Sequence, residues 1–215
     1  MFVNGVNKWR FEYEWPLKRT QYIRLYLHPK GGLSTNPPRG EVEPDIFTQP
    51  APYLDPTVYC LTYATQPLQE DVELTGYMAL YLRAAIDKEE TNWMVDLLDV
   101  APDGRRTLIT QGSLAAEHRE LDETASRPYL PIHPRKDPVP VPLNEIVEYA
   151  IALMPTSRVV KAGHAIELVI RNQDDLLSRL GSWGVYHLPH METVTHRIYF
   201  GSSYILLPYI PAEAE

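Results

Sequence analysis

Residues 93–112 read Trp93-Met94-Val95-Asp96-Leu97-Leu98-Asp99-Val100-Ala101-Pro102-Asp103-Gly104-Arg105-Arg106-Thr107-Leu108-Ile109-Thr110-Gln111-Gly112, and their pattern decides the fold. Alternation places Trp93, Val95 and Leu97 on one face and Met94, Leu98 and Val100 on the other, so the first half is a strand buried on both sides. Pro102-Asp103-Gly104 supplies the turn that sends the chain back. Such a strand belongs in the middle of a sandwich. Asp96 and Asp99 fall on opposite faces of it and cannot form one acid/base pair, so partnering by arginine side chains or backbone is the better reading of both.

The same period of two recurs outward from the hairpin. It runs through Ile23, Leu25 and Leu27, then Met78 to Ile86, Val147 to Leu153, Ile166 to Ile170, and Val194 with Ile198 and Phe200. With the 58–63 run and a closing 203–207 segment this gives about eight or nine strands, the number of a double-sheet jelly roll. Helical signal is confined to Asp174–Leu180, where Asp174 or Asp175 could cap a short helix ended by Gly181. The 20 prolines cluster in connections, among them Pro37, Pro38, Pro44, Pro50, Pro52 and Pro56, and these stretches should run outside the sheets because proline cannot donate to a ladder. A proline-rich loop over 115–142 is long for a compact domain and is read as functional or packed on a partner. No internal repeat is present, and one domain over 1–215 is expected.

Composition excludes several functions. A formal charge of −8 with no basic stripe argues against a nucleic-acid partner. No apolar run reaches transmembrane length, and Lys8, Arg10, Glu12 and Glu14 interrupt any signal-peptide core, so a soluble chain with no membrane contact is expected. The single Cys60 cannot form an internal disulfide, which fits a reducing, cytoplasmic setting, and its apolar neighbours suggest core packing.

Chemistry is harder to find. None of the eight serines sits in a Gly-x-Ser-x-Gly elbow, and Gly181-Ser182-Trp183-Gly184 has the wrong spacing. Ser202 or Ser203 with His196 and an aspartate can be assembled into a triad on paper, but seven histidines and many acids make such combinations cheap. His187-Leu188-Pro189-His190 lacks the cysteine or glutamate companions of a metal site and reads as a loop. His164, in phase with Ile166, Leu168 and Ile170, reads as a hydrogen-bonded histidine at a strand start. No catalytic residue, no metal ligand set and no cofactor site is therefore expected. Aromatics remain: Trp93 belongs in the core, whereas Trp9, Trp15 and Trp183 lie outside the clear strands, where exposure would mark a surface for a sugar or another domain and burial would mean packing under loops.

Taken in order, the motifs resemble the C-terminal domain of X-prolyl dipeptidyl aminopeptidases and cocaine esterases, the CocE/NonD hydrolases. The resemblance begins at Asn4-Gly5-Val6-Asn7-Lys8-Trp9-Arg10 with Glu14-Trp15-Pro16 and continues through Leu25-Tyr26-Leu27, Gly31-Gly32-Leu33-Ser34, Pro67-Leu68 and Glu73-Leu74-Thr75-Gly76. Leu98-Asp99-Val100-Ala101-Pro102-Asp103-Gly104 and Thr110-Gln111-Gly112 match the family's Asp-Val-x-Pro-Asp-Gly and Thr-x-Gly elements. Met154-Pro155-Thr156, Ala162-Gly163-His164 and residues 203–208 follow. Two places where the family usually carries arginine hold Ala115 and Ala165, which puts the contacts of those arginines in doubt.

The resemblance implies an all-β, jelly-roll, galactose-binding-like β-sandwich with long proline-rich loops. Residues 1–20 would lead in from an absent α/β-hydrolase domain that carries the catalytic Ser, Asp and His. The chain would be non-catalytic, would pack on that partner through Trp9, Trp15, Trp183 and the proline-rich loop, would shape the active-site mouth, and could support a homo-oligomer. The parent enzyme would hydrolyse an ester or an Xaa-Pro peptide bond through an acyl-enzyme. A free-standing carbohydrate-binding module is the competing reading.

Overall fold

The computed structural model describes residues 1–40, 42–175 and 187–211. Among them lie twelve strands: β1 (Phe2–Val3), β2 (Lys8–Trp9), β3 (Gln21–His28), β4 (Gly32–Ser34), β5 (Asp45–Gln49), β6 (Cys60–Ala64), β7 (Val72–Ile86), β8 (Asn92–Val100), β9 (Arg106–Ala115), β10 (Val147–Val160), β11 (Ala165–Arg171) and β12 (Val194–Ile210). A single 3-10 turn at Ala116–His118 is the only helical element among the described residues. The all-β expectation holds. β1 and β2 make a small antiparallel ribbon, and the other ten strands form one sheet in the order β3-β4-β6-β11-β8-β9-β10-β7-β12-β5. β3 also pairs with β12, which closes the sheet into a barrel-like wall.

The wall forms because alternate residues of each long strand are apolar and meet inside it. Met78, Leu80, Leu82, Ala84 and Ile86 of β7 are buried against Trp93, Val95 and Leu97 of β8, Ile166, Leu168 and Ile170 of β11, and Ile205 and Leu207 of β12. The β8–β9 hairpin has the expected turn: Ala101 N–H donates to Arg105 O at 2.9 Å, Gly104 N–H donates to Ala101 O at 2.8 Å, and Gly104 takes φ +84°.

Two expectations change. The 194–200 and 203–207 runs are parts of one strand, β12, whose inward residues switch from Ile198 and Phe200 to Ile205 and Leu207 across a register shift between Tyr199 and Tyr204. Tyr199 to Tyr204 takes five steps along β12 against two along β7, and the three extra residues, an odd number, reverse the phase of the alternation, so the sequence reads as two strands where the backbone makes one. Cys60 is exposed instead of packed in the core, because Leu61 and Tyr63 are the residues of β6 that oppose the inward Ile170 and Leu168. The 115–142 loop lies on this chain's own sheet: Val141 is buried with its N–H on Glu89 O at 2.7 Å, the Arg119 guanidinium donates to Val139 O at 2.6 Å, and Tyr81 Oη donates to Pro128 O at 2.8 Å. The prolines quoted above do lie outside the strands; Pro155 and Pro208 are inside β10 and β12, and both sit at register shifts where a ladder bond is already missing. Of the helix expected over 174–180, residues 176–180 fall outside the described residues.

Gly112 of the Thr110-Gln111-Gly112 element explains its own presence. It is the residue of β9 that pairs with Leu153 of β10, and a Cβ there would stand 2.2 Å from Ala152 O. Backbone cannot yield as a side chain can, so Gly112→Ala should cost about 1–3 kcal/mol and lower the thermal midpoint by roughly 2–4 °C for each of those kcal/mol. Gly104→Ala meets open space and is strained by its φ of +84° alone, whereas Gly112→Ala meets backbone, so a loss below about 1 kcal/mol in Gly112→Ala, measured by calorimetry, would refute this account.

Candidate functional site

The N-terminal segment is fixed to the sheet at several points while its aromatic rings face outward. Asn4 N–H donates to Ser157 O at 3.0 Å and Val159 N–H returns to Asn4 O at 2.9 Å. Gly5 follows at φ +85°, and a Cβ there would lie 2.1 Å from Val159 O, so this crossing admits only glycine. Arg10 donates both terminal nitrogens to Glu73 of β7, at 2.8 and 2.6 Å, and its Nε lies 2.6 Å from Glu12, which also binds Arg19. Burial pushes the Glu73 carboxyl up, but the bonds from Arg10 and Thr75 and the charges of Arg10 and Arg19 outweigh it and hold the carboxyl below its usual range. On this clamped backbone Trp9 is 77% exposed, Phe11 95% exposed and Trp15 41% exposed, and Tyr13 is fully open. Phe2 meets Trp9 edge-to-face at 5.5 Å, and Trp15 meets Tyr77 likewise at 5.7 Å. Trp9 and Trp15 are thus surface aromatics; Trp183 lies outside the described residues.

A second aromatic surface went unread in the sequence. Outward positions of β3, β7 and β12 carry Tyr22, Tyr26, Tyr77, Tyr81 and Tyr204, and Tyr129 of the proline-rich loop stacks on Tyr22 at 4.7 Å with planes 7° apart. The signal was available in the alternation of Tyr22, Arg24 and Tyr26 with Ile23, Leu25 and Leu27, whose apolar members alone were used.

The polar candidates prove structural. His196 is fully buried, stacked on Phe47 at 4.3 Å and edge-on to Trp93 at 5.2 Å, and its Nε2 lies 2.8 Å from Thr91 Oγ1. Ser203 is committed elsewhere: its Oγ accepts the Arg83 N–H at 2.9 Å and fills the ladder at the β12 bulge. The structure instead brings Ser113, His187 and Asp174 together, with Ser113 Oγ 3.2 Å from His187 Nε2 and His187 Nδ1 3.2 Å from Asp174 Oδ2. Ser113 lies within β9, paired to Met94, rather than on a strand-to-helix elbow, and Asp174 Oδ2 also accepts the His187 N–H at 2.6 Å. The group ties Asp174 and His187 to each other and to β9. His190 Nδ1 is 3.2 Å from Glu90, and no three metal-ligating side chains converge among the described residues. The hairpin aspartates are partnered as expected: Asp96 by Arg171, and Asp99 by Arg158 at 2.7 Å and by His164 Nδ1 at 2.6 Å. His164 stands just before β11, bonded and half-buried. Ala115 opposes Asn92 and Ala165 opposes Val100, and neither alanine carries a charge of its own.

Fold and side chains together define an all-β module in which buried charges such as Asp96 and Asp99 bridge strands and the aromatic rings of the N-terminal segment lie open. Residues 1–204 match the X-Pro dipeptidyl-peptidase C-terminal non-catalytic domain, and the chain belongs to that family. The cocaine esterase of Rhodococcus sp. (strain MB1 Bresler) is 28% identical over 251 aligned positions, which take in 98% of this chain and 41% of that protein. A CocE/NonD family hydrolase from Staphylococcus aureus shares the fold with a TM-score of 0.76 at 20% identity, over 98% of this chain and 40% of the other. An aminopeptidase from the marine sediment archaeon Thaumarchaeota archaeon gives 0.74 at 20% identity, with the same coverage. The chain therefore spans about two fifths of the length of these relatives. No helix among the described residues is long and apolar enough to cross a membrane.

Burial drives the His196 imidazole down to about 3, well below the value near 6.5 it has when unfolded. A depressed histidine stabilises the fold fully above about pH 6.5, and that contribution is lost as pH falls from there toward 3, because the unfolded chain takes up the proton first. Replacing His196 by Phe should flatten the dependence of thermal midpoint on pH across this window by about one proton. Superimposable slopes for the two proteins would contradict the assignment.

Proposed function

We propose that this chain serves as the non-catalytic C-terminal domain of a CocE/NonD-type serine hydrolase. It acts as one jelly-roll-type, galactose-binding-like domain over residues 1–215, packs on the α/β-hydrolase domain through Trp9 and Trp15, and shapes the mouth of the active site. The parent enzyme cleaves an ester or an Xaa-Pro peptide bond, and the acyl-enzyme chemistry belongs wholly to the partner domain.

One observation supports this reading: a segment bearing Trp9, Phe11 and Tyr13 is tied to the sheet at Asn4 and Arg10 yet leaves its rings in water. Ordering an exposed apolar segment is costly unless something covers it, and large aromatic rings are the usual anchors of such contacts. The free, exposed Cys60 suits a reducing, cytoplasmic setting.

The chain by itself should turn over neither p-nitrophenyl acetate nor Ala-Pro-p-nitroanilide above the buffer rate. Ser113 is the serine to watch, since it has a histidine and an aspartate in line. Robust turnover abolished by Ser113→Ala would sink the proposal.

A further inference from the structure

The aromatic surface continues beyond Trp15. Tyr77, which Trp15 meets edge-on, lies 6.3 Å from Tyr129, and Tyr129 stacks on Tyr22. Further along the same outer face Tyr204 pairs in register with both Tyr26 and Tyr81, at ring distances of 5.6 and 5.0 Å, and the Arg24 guanidinium stands 4.8 Å from the centre of the Tyr204 ring. These rings are half-buried, and each braces the next. A ring already fixed by its neighbours loses little rotamer freedom when another surface covers it, which is why tyrosine is favoured in preorganised contacts. Arg24 is exposed, and among the described residues no carboxylate bonds to it.

We infer that this outer face of β3, β12 and β7 is a second docking surface, continuous with the N-terminal segment, and that its occupant is the catalytic portion of the parent hydrolase. The inference rests on the proposed function and extends it to residues that reading does not use. Two facts select this occupant. The relatives carry some three fifths of their length outside the matched region, ample polypeptide to cover the face. The face is also joined to the clamped Trp9–Trp15 segment through the Trp15–Tyr77 contact, so a partner seated on one reaches the other. The chemistry of the face specifies what lies across it: an apolar or proline-bearing stretch against the tyrosines, with an aspartate or glutamate opposite Arg24.

The test titrates the full chain calorimetrically against the Gly-x-Ser-x-Gly hydrolase portion encoded with it, expressed separately. Arg24→Glu, a surface change that leaves the core intact, should weaken binding at least tenfold, and Tyr22→Ser with Tyr204→Ser should weaken it about a hundredfold while the thermal midpoint reports that the fold survives. If the tyrosine pair unfolds the chain, Arg24→Glu alone decides. Unchanged affinity in the folded variants, alongside clear binding by the wild type and loss in Trp9→Ser, overturns this inference and leaves the proposed function standing. A wild-type chain that does not bind, or a genome with no such hydrolase, overturns both. A chain that is dimeric alone and becomes monomeric on Arg24→Glu assigns the face to a second copy and also overturns the inference.

Discussion

β12 hydrogen-bonds to three other strands, and the remainder of the fold depends on its doing so. Its first residues lie between β5 and β7, its later ones between β3 and β7, and the pairing with β3 closes the wall. A regular strand could not serve both halves. Ile198 and Ile205 are seven residues apart, an odd number, so in unbroken alternation one of them would point to solvent. The irregularity between Tyr199 and Tyr204 restores the phase, and the Ser203 hydroxyl takes the Arg83 N–H that the interrupted ladder would leave unpaired. The bulge is thus a condition of closure, and it explains why a buried serine stands among apolar residues.

Charges buried in the wall serve the same end. Asp99, Arg158 and His164 link β8, β10 and the approach to β11, and Asp96 with Arg171 links β8 to β11 on the other face. Such pairs add little stability compared with apolar packing, but removing one partner strands a charge, so only the native register is free of that penalty. The aspartate of the family's hairpin element acquires a physical meaning here: Asp99 is the point at which three segments of chain are made to agree.

The long strands were legible because each spans several periods of alternation, and Trp93, Asp96 and Asp99 stand as read. What failed did so for local reasons. β1, β2 and β4 have two or three residues, too few to show a period, and β5 carries one inward apolar ring, Phe47. The break in β12 was misread because a bulge changes phase without a turn signal. Cys60 was misplaced because the run 58–61 is apolar throughout, and a continuous run does not reveal which side faces in. At the candidate site, the exposure of Trp9 and Trp15 was one of two readings left open, and the clamp made by Arg10 and Glu73 joins residues 63 positions apart that no spacing rule connects. The tyrosine face has the same period of two, but alternation alone does not distinguish an outward tyrosine that contacts other rings from one that is merely solvated.

The anchor at Asn4 also bears on how the polypeptide is assembled. Its partners, Ser157 and Val159, follow it by more than 150 positions. During synthesis Arg10 can reach Glu73 once β7 has emerged, but Asn4 has no backbone partner until β10 has been translated and paired with β7. The attachment of the N-terminal segment to the sheet is therefore completed late, after most of the wall exists. A nascent chain would keep Trp9, Phe11 and Tyr13 accessible through that interval, a window in which chaperones can engage them.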